Sequence, residues 1–458
     1  MDIRDLTAGD LDAALDIRRR AFGPLSAEGA RTWRDLVSPM LPEGRYLGAF
    51  DGPRLAGAAR INPYVQWWHG RPLSMGGVAS VTVAPEDRGR GVGRALMEAA
   101  VERCAALGHV VSALYPATTP LYRSVGYEHA GGMTRITLPA EALRTLGSTG
   151  GHGGYGEPGA SRGPGGSGGH GGDPAVSGGH SGRGGRGGQG GGEPDASGGH
   201  GGAPGLRRAG PDDAAEVVAL IGRLHAATRA SGPMSYDERT WRLWLADEDD
   251  YCYLAGDGFV LYRWSDGDIE VDNLVAGSEA TARALWSLVG SASSVAKSVH
   301  ACVDPADPVL WLLRERSDDD VTVRRWMLRV IDLPAAVAGR GFPAGVALET
   351  VVEVTDRLRP GNTGSWTLRV AGGSGSVTRS DPASRTAPGT GPGTGPRTGP
   401  GSGPGEATRL TIGGASALFA GVPTATLRRS GRLTGGSPET DDALDAAFAC
   451  AAYMIDAF

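Results

Sequence analysis

Two glycine-rich tracts set the terms on which this 458-residue chain can fold. Residues 147–205 hold 29 glycines in 59 positions, and residues 371–407 repeat Thr-Gly-Pro-Gly. Neither can bury an apolar face, so the first reads as a flexible linker and the second as an extended insertion within a domain. Ordered structure must come from what remains. This gives a plan of 1–146, 206–331 and 332–458, the last carrying the insertion, and the length is too great for a single core. His152, His170, His180 and His200 recur in the linker at a spacing too loose for more than weak metal binding. The linker reads as a spacer, and no metal is expected.

Within 1–146 the chemistry gathers at 78–97. Val78, Val81, Thr82 and Val83 make a β-branched strand, Pro85 ends it, and Arg88-x-x-Gly91-x-Gly93 leads into a helix with Leu96, Ala99, Ala100 and Cys104 at helical spacing. A strand, a glycine turn and a helix N-terminus form an anion site, because the first helical amides lack partners and the helix dipole favours negative charge there. Strands are expected at 3–6, 46–50, 55–64 and 109–114, and a short helix carries Leu121-Tyr122-Arg123-Ser124-Val125 before Gly126-Tyr127. Residues 206–331 repeat the plan. Strands at 251–254, 259–263 and 269–275 lead through Gly277-Ser278 into a helix with Leu285, Leu288 and Val289, but the Arg-x-x-Gly-x-Gly turn is missing. That second unit is expected not to admit a diphosphate, and the turn at Gly277 to accept a side chain. In the third domain strands are expected at 347–355, 365–370 and 408–412, with a closing helix at 441–450.

Composition narrows the classes. Net charge is −6, and Lys297 is the only lysine, which argues against nucleic acid or a membrane surface as partner. Cys104, Cys252, Cys302 and Cys450 are scattered without metal or disulfide spacing, as expected of free thiols in a reducing compartment. With no signal peptide and no apolar run of membrane length, a soluble cytoplasmic protein is expected.

The turn at 88–93, following Ser80-Val81-Thr82-Val83-Ala84-Pro85, resembles motif A of the GNAT acetyltransferases, which holds the pyrophosphate of acetyl-CoA. Together with 121–127, with Arg329-Val330-Ile331-Asp332-Leu333-Pro334-Ala335-Ala336, and with Leu418–Gly435, the layout resembles the Eis (enhanced intracellular survival) family. The implied fold is α/β: two tandem GNAT domains, the second degenerate, then a sterol-carrier-protein-like domain. The implied activity is acetyl-CoA-dependent N-acetylation of aminoglycosides or similar polyamines by a homohexamer. A lysine or polyamine acetyltransferase shares the same residues, and a lipid- or sterol-binding protein on a GNAT scaffold is the rival from another class.

The resemblance also implies a site. Val81, Thr82 and Val83 would pair with the pantetheine arm. Gly89, Arg90, Gly91, Val92, Gly93 and Arg94 would offer amides to the pyrophosphate, with charge from Arg88 and Arg94, and Ala117 and Thr118 would close over the arm. Tyr122, whose phenol keeps its proton at neutral pH, is the proton donor. For the base, His69, His109 and His129 stay open on chemistry alone, whereas the resemblance points to the α-carboxylate of Phe458. Trp33 resembles a pocket tryptophan, and Asp456 is close enough to the chain end to face an amine.

Overall fold

A computed structural model describes residues 1–147, 205–314, 320–380 and 407–458. The linker histidines and most of the Thr-Gly-Pro-Gly tract lie outside these. The first unit begins with β1 (Asp2–Asp5), α1 (Leu11–Phe22) and α2 (Ala27–Val37), continues through β2 (Tyr46–Asp51), β3 (Arg54–Trp68) and β4 (Arg71–Val83), and then gives α3 (Val92–Ala106), β5 (Val111–Leu114), α4 (Thr119–Ser124), β6 (Glu128–Pro139) and α5 (Ala140–Arg144). The β3–β4 hairpin runs past Tyr64, where a strand end was expected, because Pro63 costs it nothing. Pro63 faces the gap between Arg60, paired with Tyr46, and Val65, paired with Ser235, so its missing N–H breaks no ladder.

The second unit supplies β7 (Arg207–Arg208), α6 (Ala214–Ala227), β8 (Met234–Ser235), α7 (Glu238–Trp244), β9 (Asp250–Ala255), β10 (Gly258–Ser265), β11 (Asp268–Ala276), α8 (Glu279–Gly290), β12 (Ser298–Val303), α9 (Val309–Leu312) and β13 (Val321–Val330). The two units build one 13-stranded sheet in the order β1-β2-β3-β4-β5-β13-β6-β12-β11-β10-β9-β7, with β8 on β3. Two strands are exchanged. β13 lies between β5 and β6 of the first unit, and β6 lies between β13 and β12. The internal repeat is geometric as well. β4 pairs in parallel with β5 only over Met75–Gly77, and β11 with β12 only over Ile269–Val271, after which each pair splays apart.

The third unit has α10 (Leu333–Gly339) and a separate five-stranded sheet of β14 (Leu348–Thr355), β15 (Gly364–Ala371), β16 (Ser374–Arg379), β17 (Thr408–Thr411) and β18 (Leu433–Thr434), ordered β16-β15-β14-β17-β18. α11 (Ile412–Phe419), α12 (Thr424–Arg429) and α13 (Pro438–Phe448) complete it. The expected insertion starts too early at 371: Gly372 and Gly373, both at positive φ, make the turn of a β15–β16 hairpin. A cavity of about 30 Å³ in this unit, walled by Val352, Leu368, Phe419 and Phe448, is large enough for little more than a water. No helix among the described residues is long and apolar enough to cross a membrane.

Candidate active site

The first splay is the centre of the site. Beyond Gly77, β4 keeps its partner β3 but loses β5, so its backbone from Val78 to Val83 has one open side. Val81 and Val83 are half-buried and Thr82 is 3% exposed. A register shift opposite Ala59 kinks β4, and Ser80 takes φ 52° there. An extended ligand could add to this open edge as a strand.

The turn between β4 and α3 is empty at the positions that matter. Gly89 (φ 79°) and Gly91 (φ 82°) are left-handed, and a Cβ built on either meets no atom within 4 Å. Gly91 caps α3 without a side-chain bond, and the helix's own ladder begins with Ala95 N–H donating to Gly91 (3.0 Å). The amides of Val92, Gly93 and Arg94 are thus left for an outside acceptor. Arg90 is held by Asp87 (2.6 Å) and Asp51 (3.3 Å), and Arg94 by Glu98 (2.8 Å) in an exposed pair of little strength. Arg88 is exposed and has no ion pair among the described residues. These residues fit the diphosphate of a coenzyme A.

The second splay is built differently. Ser278 caps α8 with its own hydroxyl, accepting from Thr281 N–H (3.3 Å), and the Asp257 carboxylate takes the Thr281 hydroxyl beside it. That helix end is already closed and carries a negative charge, so it repels a diphosphate.

Tyr122 and Phe458 flank the first splay from opposite faces. Tyr122 packs in the core cluster that holds Val78 and Leu114. Phe458 stacks edge-on against Tyr64 (5.1 Å) and Tyr115 (5.7 Å), and a Cβ on Gly77 would lie 3.0 Å from its ring. Successive strand residues point to opposite faces, so Gly77 and Val78, like Leu114 and Tyr115, separate the two aromatic groups. The Tyr122 hydroxyl makes no hydrogen bond among the described residues, and burial raises its pKa, which keeps the phenol protonated. Tyr127, by contrast, shares a 2.7 Å bond with Ser112 in the fully buried core.

The tail ending in Phe458 is anchored. Tyr453 N–H donates to Ser231 (3.1 Å), Met454 N–H to Gly132 (3.1 Å), and the Tyr115 hydroxyl to the Asp456 carbonyl (2.8 Å). Asp456 reaches the second splay. It lines a cavity of about 320 Å³ with Asp272, Asn273, Glu270, Tyr236 and Trp244. Burial, and then the charge of Asp272, push its pKa up to about 7 against a bond from Asn273. Its Oδ2 and the Oδ1 of Asn273 are covered and unbonded, two acceptors that want a donor. Sequence reasoning missed Asp272, Asn273, Tyr115 and Tyr236. One signal was available: Asn273 occupies the parity of Ile269 and Val271 on β11, a buried apolar row.

Of the remaining candidates, Ala117 and Thr118 follow β5 at the first splay and the others sit elsewhere. Trp33 is 7% exposed in the core below α1 and α2, edge-on to Tyr46 (6.4 Å), and does not line the cavity. Its amphipathic helix spacing places it on the buried face with Ala30 and Val37. Ala117 and Thr118 lie in the loop that enters α4, with Thr118 as its N-cap. His109 is pinned between Arg45 (3.0 Å) and Ser74 (2.8 Å), and burial together with Arg45 pushes it down to about 4. His69 turns the β3–β4 hairpin and His129 lies on β6. Among the described residues no cluster of three His, Cys, Asp or Glu could hold a metal ion.

This architecture has relatives. Residues 2–130 and 232–330 each match an acetyltransferase (GNAT) domain family, and 333–455 a sterol carrier protein domain. A GCN5-related N-acetyltransferase from Kribbella flavida is 39% identical, with TM-score 0.81 over 100% of this chain and 98% of that one. Eis1 from Mycobacterium abscessus shares the fold at 22% identity and TM-score 0.66, with complete coverage of both chains. The N-acetyltransferase Eis of Mycobacterium tuberculosis is 30% identical over 146 residues, 30% of this chain and 34% of its own, so the match spans about a third of that relative. The Kribbella relative is matched along nearly its whole length at 39% identity, and this chain belongs to the GCN5-related N-acetyltransferases.

Proposed function

We propose that the protein transfers acetyl from acetyl-CoA to a primary amine of an aminoglycoside or a similar polyamine. The observation that carries this is the first splay, with its free amides at α3, the unspent Tyr122 hydroxyl on one face and Phe458 on the other. When bound, acetyl-CoA supplies the thioester that the amine attacks. The amides of Gly89, Gly91, Val92, Gly93 and Arg94 and the charge of Arg88 hold its diphosphate, the Arg90 amide being already bonded to the Asp87 carbonyl (3.4 Å), and the open edge at Val81, Thr82 and Val83 aligns its arm, with Ala117 and Thr118 on the far side. The amine approaches from the face of Phe458, whose α-carboxylate takes the proton directly or through a water, and Tyr122 protonates the sulfur on the opposite face. The neighbouring cavity favours an acceptor with several amines: Asp456, Asp272 and Asn273 offer acceptors to a second ammonium, and Tyr236 and Trp244 give it aromatic walls.

The test is mass spectrometry of products after incubation with acetyl-CoA and an amine panel of kanamycin, spermidine and a lysine peptide. Acetylated kanamycin is the expected product; modification of the peptide alone would move the reading to a protein-lysine acetyltransferase. By the same resemblance the chain assembles as a cytoplasmic homohexamer, which sedimentation analysis checks.

A further inference from the structure

We propose that the buried ion pair Arg329–Asp356 is a positioning device for Tyr122, through which the third unit sets the geometry of proton transfer. This rests on the reading of Tyr122 as the proton donor. α4 spans only Thr119–Ser124, too short to hold its own shape, so the place of Tyr122 is decided by what grips the helix ends.

At the C-terminal end the amides of Val125 and Tyr127 both donate to the Tyr122 carbonyl (3.2 and 3.1 Å). The carbonyl of Val125 accepts a 2.7 Å bond from Nε of Arg329, which reaches in from β13. Arg329 is fully buried. Its Nη1 donates to Val330 (2.9 Å) and its Nη2 to both oxygens of Asp356 (2.9 and 3.1 Å). Asp356, just after β14, is itself fixed by the amides of Leu358 and Arg359 (3.1 Å each) and the side-chain amide of Asn362 (2.9 Å). The chain of bonds therefore runs without a gap from the third unit to the peptide that closes the Tyr122 turn.

Two further contacts bear on the same turn. Gly126 sits at φ 90°, and a Cβ there would come within 2.8 Å of Ile412 on α11 and 3.1 Å of Arg329 Nε, so the turn lies directly on the third unit. Arg123 of α4 pairs with Glu128 (2.7 Å), and Glu128 also accepts Arg432 from the third unit. Ordinary domain adhesion would not need the guanidinium to spend Nε on this one carbonyl. Loss of Asp356 leaves a buried cation uncompensated, which must shift toward water or other acceptors and release Val125.

The experiment is a double-mutant cycle on the full chain, with acetyl-CoA as donor and kanamycin as acceptor. Asp356→Asn should lower kcat by about 10- to 100-fold, the effect of a misplacement near 1 Å, and leave the KM for acetyl-CoA within about twofold. In a Tyr122→Phe background the same change should cost less than about twofold, because the group it positions is gone. Independent, multiplying losses would overturn the proposal while leaving Tyr122 as the acid. A silent Tyr122→Phe would overturn both. Arg329→Lys, which keeps the buried charge but cannot bond the Val125 carbonyl and both Asp356 oxygens at once, provides the same cycle if Asp356→Asn does not fold, and there too multiplying losses count against the proposal.

Discussion

Tyr122 and Asp456 are both ionisable groups whose burial fixes what they can do, and they point in opposite directions. Tyr122 is held protonated by burial and has its hydroxyl free, so Tyr122→Phe should keep the fold, leave the KM for acetyl-CoA unmoved and lower kcat by roughly 10² to 10⁴, the range of a placed general acid. Steady-state kinetics decide it, and a loss below about threefold would reduce Tyr122 to packing. Asp456 is a carboxyl that folding prefers neutral. Its folded pKa of about 7 lies above its ordinary value of 3.8, so its favourable contribution is full below 3.8 and is lost as pH rises through 7. Asp456→Asn has the same shape and no charge to bury. The variant should therefore gain stability over the parent as pH rises from 5 to 8, read as urea midpoints at each pH. An unchanged difference across that range would mean the carboxyl is already solvated.

At the scale of elements, the two strand–turn–helix repeats make opposite uses of glycine. Gly91→Val forces a left-handed position onto a branched residue, at roughly 1–2 kcal/mol, and puts its side chain where the diphosphate belongs. Calorimetry should find acetyl-CoA binding abolished in a protein that still folds. Gly277 was expected to tolerate the change, and the structure corrects this. A Cβ there would meet Leu224 at 2.8 Å and the Asp257 carbonyl at 3.1 Å, so Gly277→Val should lower the thermal midpoint while acetyl-CoA affinity stays the same. The strand, turn and helix of 78–106 were legible because they are consecutive in sequence and the shape of the turn is set locally by Gly89 and Gly91. The second turn was misread because its glycine answers to α6, a partner distant in sequence. Trp33, which the resemblance alone placed at a pocket, packs in the core below α1 and α2.

The whole molecule shows where sequence reasoning ends. Three units in the right order could be read from periodicity and spacers, but the exchange of β6 and β13 could not, since it depends on pairing between segments separated by the linker. The exchange matters because it welds the units into one sheet, and the tail runs between the two splays. Tyr453 and Met454 are bonded to Ser231 and Gly132 from the two units, Asp456 reaches the second splay, and Phe458 reaches the first. A base carried by the main-chain carboxylate of Phe458 must stay at that spot to act. Residues added after Phe458 would move it by about 3.3–3.6 Å each, beyond the roughly 2.6–3.2 Å reach of proton transfer. A C-terminally tagged protein should thus bind acetyl-CoA normally and turn over poorly. Removal of Phe458 should do the same, while an N-terminal tag should be harmless. Full kcat in the C-terminally extended protein would exclude the terminal carboxylate and leave the proton to Asp456, the other carboxyl that the tail carries, or to an ordered water.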